Sequence, residues 1–99
     1  MDSLNVAKTI AEQIGHKAFV MLGARDLVRD GFRSLQFRVG RNPERVTHLR
    51  IVLRDDDTYN VEAWRIRGGN AIPIHTTQAV YVENLHQVIS DFTGLRTSL

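Results

Sequence analysis

The sequence predicts an α+β domain in which two helices, one near each end of the chain, cover one face of an antiparallel sheet of about four strands. Apolar residues recur at helical spacing near both ends, and the segments between them alternate apolar and polar residues with a period of two. Turn residues such as glycine, asparagine and aspartate separate the alternating segments. A chain of 99 residues supports one hydrophobic core, so we expect residues 1–99 to form a single domain.

The first helix is predicted from about Asn5 to Ile14. Its apolar residues fall on one stripe and are Val6, Ala7, Ile10, Ala11 and Ile14. Ser3 or Asn5 can cap its N-terminus, and Gly15 follows at a position where helices commonly end in a left-handed residue. After a brief turn, the short apolar run over residues 18–22 predicts a first strand.

Residues 23–33 have no regular apolar pattern, and Asp30-Gly31 is a turn signal within them. We therefore predict a loop, with at most one helical turn over residues 26–28. The loop would lead into the alternating segments in the middle of the chain.

Those alternating segments predict three antiparallel strands at residues 35–39, 48–54 and 58–67. The first two are joined by a turn containing Asn42-Pro43, and the last two by the aspartates 55–57. A tight turn centred near Asp56 sets the register between the last two strands and predicts three pairs of core residues. These pairs are Leu53 with Tyr59, Ile51 with Val61, and Leu49 with Ala63.

The same register predicts a polar row on the opposite face of the sheet. Arg50 falls opposite Glu62, His48 falls opposite Trp64, and Arg38 lies beside His48. Arginine and aromatic side chains on an open sheet are used by nucleic-acid-binding proteins to contact phosphates and to stack on bases. The alternative is an ordinary solvated face, in which Arg50 and Glu62 form a cross-strand pair and the helices of the chain cover Trp64.

The end of the chain predicts a short edge strand followed by the second helix. Residues 71–75 would form the strand, which Pro73 restricts to an edge of the sheet. The helix is predicted from about Gln78 to Thr93, with Thr77 as its N-cap and Gly94 as its end. Its stripe consists of Tyr81, Leu85, Val88, Ile89 and Phe92. Two helices cover only one face of such a sheet, so the arginine-rich face stays open.

The charged residues favour contact with an anionic partner. The formal net charge is +2, and eleven of the thirteen basic residues are arginine. Arginine presents a planar fork of donors that suits phosphates and carboxylates better than the lysine ammonium does. A compositional preference for arginine would produce the same count, so this bias alone does not separate a binding surface from a solvated one.

Several classes of protein and site are excluded or disfavoured. The chain has no cysteine, which excludes disulfides, thiolate nucleophiles and cysteine-bound zinc. It has no apolar segment long enough to span a membrane and no signal-peptide pattern, so we expect a cytoplasmic protein without membrane contact.

The sequence also lacks a clear catalytic or metal-binding motif. Aspartates 55–57 invite a divalent-metal interpretation, but consecutive carboxylates in a tight turn diverge, and aspartate is a common turn residue. No histidine pair has the spacing of zinc enzymes, no serine has a glycine-flanked elbow, and no phosphate-binding glycine loop occurs. We therefore expect a non-enzyme without a metal or cofactor.

Short motifs at turns and strand ends occur in a specific order along nearly the whole chain. They are Gly23-Ala24-Arg25, Phe37-Arg38 followed by Arg41-Asn42, Asp57-Thr58-Tyr59, Arg67-Gly68, and the ending Thr93-Gly94-Leu95 through Thr97-Ser98-Leu99. In this combination the chain resembles a family of small uncharacterised proteins encoded by tailed bacteriophages. The resemblance implies a setting, the cytoplasm of an infected bacterial host, and no known catalytic residues.

Two functional hypotheses follow. The first is a phage-type accessory protein that binds nucleic acid through its arginine-rich sheet face. The second is an anti-defence protein that inhibits or modulates a host enzyme or defence complex by binding acidic protein surface. The candidate binding residues are the same in both, namely Arg38, His48, Arg50, Arg54 and Trp64, with Arg41, Arg65 and Arg67 at the rim. The sheet also leaves edges on which a second copy can pair, so under either hypothesis the chain can form a homodimer.

Overall fold

Five strands form one antiparallel sheet in which each strand pairs with the next along the chain. The structure is a computed structural model and describes residues 3–29 and 33–97. In chain order the elements are α1 (Ser3–Ile14), α2 (His16–Leu22), β1 (Arg25–Arg29), β2 (Ser34–Arg38), β3 (His48–Leu53), β4 (Tyr59–Arg67), β5 (Asn70–Val80), a 3-10 turn (Val82–Asn84) and α3 (Leu85–Thr93). The predicted α+β fold class is confirmed.

The register predicted for the central strands is also confirmed. β3 and β4 pair Leu53 with Tyr59, Ile51 with Val61, and Leu49 with Ala63. The opposite face carries the predicted pairs Arg50 with Glu62 and His48 with Trp64, and β2 places Arg38 beside His48. The turn of aspartates fixes this register because Arg54 and Thr58 close it through a backbone hydrogen bond of 2.8 Å.

One hydrophobic core lies between the sheet and the helices. α1 packs against β1, β2 and β3, and α3 packs against β4 and β5, so both helices cover the same face as expected. Each helix contributes fully buried residues, such as Ile10 from α1 and Ile89 from α3, to the cluster that contains Phe37, Leu49 and Ile51 of the sheet. No helix of the described residues covers the other face of the sheet.

The strand predicted at residues 18–22 is wrong, because these residues belong to helix α2. A run of apolar residues fits either a buried strand or a helix, and here the burial follows helical spacing. Ala18 and Leu22, four residues apart, are buried, whereas Val20 is 64% exposed. Gly15 at φ +88° permits the sharp turn between α1 and α2, and Gly23 at φ +63° ends α2.

The loop predicted at residues 23–33 is wrong over its first half, where β1 forms. β1 is an edge strand, and its pairing with β2 shifts between Arg25 and Val28. Asp26 adopts φ +56° within this irregularity, and both Leu27 and Val28 are exposed. A bulged and exposed edge strand lacks a period of two, so no alternation marked it in the sequence. Residues 30–32, which include the predicted Asp30-Gly31 turn, lie outside the described residues.

The C-terminal boundaries also differ from the prediction. β5 is an edge strand, as Pro73 indicated, but it extends to Val80 instead of ending at residue 75. Thr77 therefore lies in a strand opposite Val61 and does not cap a helix. α3 begins at Leu85, and Tyr81, predicted on its buried stripe, is 62% exposed. β-branched Thr76 and Thr77 favour the extended backbone, and pairing with the long β4 continues it.

None of the helices in the described parts of the chain is long and apolar enough to cross a membrane.

Candidate functional site

Arginine residues cluster at one end of the sheet, where β1 and β3 begin and β2 and β4 end. They surround a cleft of about 690 Å³, whose remaining lining comes mainly from the loop between β2 and β3. We call this the arginine cleft and define it by its six arginines, which are Arg25, Arg38, Arg41, Arg45, Arg65 and Arg67. No carboxylate of the described residues lines it. The cleft is therefore a concentrated positive site on a protein of formal net charge +2.

The loop between β2 and β3 owes its shape to Asn42, whose side chain is almost completely buried. The Asn42 amide nitrogen donates to the carbonyls of Gly40 (2.9 Å) and Val46 (2.7 Å), and its oxygen accepts from the Val46 N–H (3.1 Å). Asparagine suits this role because one short side chain offers both donors and an acceptor to nearby backbone. The three bonds hold the two ends of the loop together and so fix the positions from which Arg41 and Arg45 project.

The loop is attached to its neighbours on two sides. Gly40 donates its N–H to the carbonyl of Leu22 at 2.9 Å, which joins the loop to the end of α2. Thr47 donates its N–H to the Trp64 carbonyl at 2.8 Å and accepts from the Ile66 N–H through its hydroxyl at 2.8 Å, which joins the loop to β4. These hydrogen bonds attach the loop, which lines the arginine cleft, to α2 and to the sheet.

The six guanidinium groups of the arginine cleft form no ion pair with any carboxylate in residues 3–29 and 33–97. Arg65 donates through Nε to the carbonyl of Arg45 at 3.1 Å, which links β4 to the loop and leaves the terminal nitrogens of Arg65 available. The acid of the loop, Glu44, does not line the cleft and contacts His75 on β5 at 3.0 Å. Glu44 therefore does not neutralise the positive charge of the cleft.

A polar row continues from the cleft onto the open face of the sheet. Arg38, His48 and Trp64 lie side by side on β2, β3 and β4, and we call them the outer row. Arg38 belongs to both the cleft and the outer row. Trp64 is partly exposed and donates from Nε1 to the Glu62 carboxylate at 2.9 Å, so its indole is held in place on this face. The predicted row is therefore present, with Trp64 on the face that the helices leave open.

His48 is the titratable member of the outer row. Its pKa lies below the ordinary value of 6.5, chiefly because partial burial disfavours the charged ring and also because Arg38 is positively charged. Asp26 acts in the opposite direction. The Nδ1 atom lies 2.7 Å from the Thr47 hydroxyl, which orients the ring. His48 is consequently a mainly neutral group at pH 7 that can gain a positive charge in acid.

Two predicted arginines are engaged elsewhere. Arg50 contacts the carboxylate of Glu62 at 3.2 Å, which is the cross-strand pair expected of an ordinary solvated face. Arg54 lies at the other end of β3, where it donates to Asn60 at 3.2 Å and its Nε is 3.5 Å from the Asp56 carboxylate. The structure therefore places Arg38, Arg41, Arg65 and Arg67 together at the arginine cleft and separates Arg54 from them.

Sequence reasoning missed two arginines of the cleft. Arg25 pairs with Arg38 across β1 and β2, but β1 was not predicted, so nothing in the pattern placed Arg25 near the sheet. Arg45 lies in the same loop as Arg41, and the short spacing between them was the available signal. Arg45 adopts φ +58°, a conformation that the sequence does not indicate for an arginine.

No group of three or more histidine and carboxylate side chains within the described residues is arranged to hold a metal ion. In the turn of aspartates, Asp56 accepts from the hydroxyl (2.5 Å) and the N–H (3.1 Å) of Thr58. These hydrogen bonds are the main reason that the pKa of Asp56 is lowered. Asp56 therefore serves to close the β3–β4 turn.

The chain matches no protein-family model, no curated protein and no solved structure at a significant level. The resemblance to small bacteriophage proteins therefore stays a prediction, as does the setting in an infected host.

Proposed function

We propose that this protein is a non-enzymatic accessory protein that binds single-stranded nucleic acid, with phosphates in the arginine cleft and bases on the outer row. The observation that carries the proposal is that six arginines line one cleft and that none of them forms an ion pair with a carboxylate of the described residues. Like charges held close together repel, and an anionic ligand relieves that repulsion. Phosphate, like carboxylate, is an anion that the planar guanidinium fork binds through two parallel hydrogen bonds.

The outer row supports nucleic acid over a simple anion, and a single strand over a duplex. Trp64 offers an aromatic surface on the open face of the sheet, next to Arg38 and His48. Stacking of a base on an aromatic side chain contributes roughly 1–3 kcal/mol, but only an unpaired base exposes its face to such a side chain. A strand whose phosphates enter the arginine cleft can place its bases on this face.

The second hypothesis, binding to an acidic surface of a host protein, uses the same positive charges. No contact in the described residues favours a carboxylate ligand over a phosphate. The proposal also includes the phage setting and the host cytoplasm, which are expectations that come from the resemblance.

Fluorescence anisotropy with a labelled single-stranded oligonucleotide of about twelve nucleotides tests the proposal. The variant Arg41→Gln/Arg67→Gln removes two exposed charges from the cleft. We expect it to bind at least about tenfold more weakly at low salt, because hydrogen bonds to charged groups contribute roughly 1.5–3 kcal/mol each. The salt dependence should also weaken by about 1.4 in the log–log slope, since each phosphate contact on a single strand contributes about 0.7.

The matched control is Lys8→Gln/Lys17→Gln, which removes the same charge from exposed positions on α1 and α2. It should bind like the unmodified protein. Absence of binding at low salt, or an equal loss in the two double variants, would contradict the proposal, because the cleft would then have no special role.

Trp64 provides a second readout because it is the single tryptophan of the chain. Stacking of a base on the indole should quench its fluorescence on titration with the oligonucleotide. Trp64→Leu should weaken binding while leaving the salt dependence unchanged, since the phosphate contacts remain. An unchanged fluorescence at saturation would remove the outer row from the proposed binding surface.

A further inference from the structure

The arginine cleft has the size of a binding site for a compact group. Its arginines come from three parts of the fold, with Arg25 and Arg38 on β1 and β2, Arg41 and Arg45 on the loop, and Arg65 and Arg67 on β4. Its volume of about 690 Å³ lies within the roughly 300–1,000 Å³ of small-ligand sites. Proteins that follow the backbone of a strand use a basic groove that holds several nucleotides.

The charge density of the cleft also favours a compact polyanion. Internal phosphates of a nucleic-acid strand carry one negative charge each and are spread along the backbone. A phosphomonoester carries about −1.5 to −2 at pH 7 and has three strong acceptor oxygens. The six arginines that line one cleft therefore match a terminal phosphate better than one internal diester.

We propose that the arginine cleft binds the terminal phosphate of a nucleic-acid strand and that the outer row contacts the nucleotide next to it. This inference rests on the proposed function and names the part of the nucleic acid that the cleft takes. In this proposal the protein recognises the end of a nucleic-acid strand and does not coat the strand along its length.

The position of the outer row supports this assignment. Arg38 lines the cleft and is followed across the sheet by His48 and Trp64. Neighbouring strands lie about 4.8 Å apart, so the outer row extends roughly 10 Å from Arg38 to Trp64. That length suits one nucleoside, whose phosphate lies in the cleft while its base lies against Trp64.

The test compares four probes of the same twelve-nucleotide sequence that carry one internal label. They end in a 5′-phosphate, in a 3′-phosphate, in hydroxyl groups at both ends, or in no end at all because the strand is a closed circle. We expect one or both phosphorylated probes to bind about tenfold more tightly than the hydroxyl probe, and the circle to bind like the hydroxyl probe. The variant Arg41→Gln/Arg67→Gln should reduce that preference to about twofold or less, whereas Lys8→Gln/Lys17→Gln should retain it.

The outcomes separate the two proposals. Equal affinity for all four probes overturns end recognition but leaves nucleic-acid binding in place, whereas failure of every probe to bind overturns the proposed function as well. Competition with a free nucleoside monophosphate identifies the source of the phosphate. If the monophosphate displaces the phosphorylated probe at the concentration at which an unlabelled phosphorylated strand does so, the ligand is a small nucleotide and the inference about strand ends is wrong.

Discussion

Asn42 connects local hydrogen bonding to the shape of the arginine cleft. The residue is 8% exposed, and its side chain forms three hydrogen bonds with the backbone of its own loop. Because the loop carries Arg41 and Arg45, the Asn42 amide helps to position these two arginines without contacting their charged groups. Stability and ligand affinity should therefore change together when this side chain is altered.

We expect Asn42→Ala to lower the free energy of unfolding by about 2 kcal/mol, since several hydrogen bonds of about 1 kcal/mol each are lost and buried backbone groups are left without partners. Urea denaturation measures this change. Asn42→Asp keeps the acceptor for the Val46 N–H and loses the two donated bonds. A loss of less than about 0.5 kcal/mol in Asn42→Ala would show that the loop holds its shape without the amide.

Arg38 and Asp26 should shift the pKa of His48 in opposite directions. NMR titration of the ring should give a pKa below 6.5. Arg38→Gln removes a positive charge and should raise this pKa, whereas Asp26→Asn removes a negative charge and should lower it further. Shifts in the same direction in both variants would contradict the electrostatic account.

The same pKa has a consequence for stability. The folded protein resists protonation of His48 more than the unfolded chain does, so the unfolded state binds more protons below about pH 6.5. The His48 contribution to stability is therefore complete above that pH and is lost progressively as the pH falls toward the folded pKa. Urea denaturation at several pH values should show a weaker pH dependence between pH 7 and 5 in His48→Gln than in the unmodified protein.

At the scale of elements, α2 is attached to the β2–β3 loop that lines the cleft. Gly23 ends α2 in a left-handed conformation, and a Cβ atom there would lie 3.3 Å from the backbone of Gly40. Gly40 in turn donates its N–H to Leu22 at 2.9 Å. This close contact between two backbones requires glycine at position 23 for reasons of both conformation and space.

Gly23→Ala should therefore cost more than the same change at Gly69. Gly69 also has a positive φ, of +83°, but a Cβ atom there would have no described neighbour within 4 Å. Gly69→Ala should therefore cost only the roughly 1–2 kcal/mol of the left-handed conformation. We expect Gly23→Ala to exceed this and also to weaken oligonucleotide binding, because Gly40 lines the cleft. Equal thermal destabilisation, with equal affinities, would argue against a role of this contact.

The elements also differ in how well the sequence predicted them. β2, β3 and β4 have alternating apolar residues and a defined turn, so their existence and register were predicted. α2, β1 and the second half of β5 lack such a pattern, because each is short, bulged or exposed at an edge. Four of the six cleft arginines were predicted as binding residues, but Arg25 required β1 and Arg45 required the folded loop.

At the scale of the whole molecule, the charges are unevenly distributed. The formal net charge is only +2, yet six arginines line one cleft to which no carboxylate of the described residues contributes. A ligand that neutralises this end should stabilise the folded state by mass action, since the unfolded chain does not bring these arginines together. Because the six arginines repel one another, an anion that binds at this end should increase the stability of the folded protein.

Pyrophosphate is a simple probe of that effect. At a free concentration about one hundred times its Kd, it should stabilise the protein by about 2.7 kcal/mol, which corresponds to an increase in Tm of roughly 10 °C or more for a domain of this size. Sodium chloride at the same ionic strength is the control for screening. Thermal denaturation of Arg41→Gln/Arg67→Gln should show a much smaller increase, and an equal increase would place the anion outside the cleft.

The sequence alone determined the α+β class, the central register and the outer row of Arg38, His48 and Trp64, because a period of two and a tight turn fix which residues face each other. The tertiary structure decided the position and composition of the arginine cleft. Arg25, Arg41 and Arg67 are far apart in the sequence and carry no shared pattern. They meet only because antiparallel pairing returns successive strands to the same end of the sheet, where the Asn42 loop forms a wall between them.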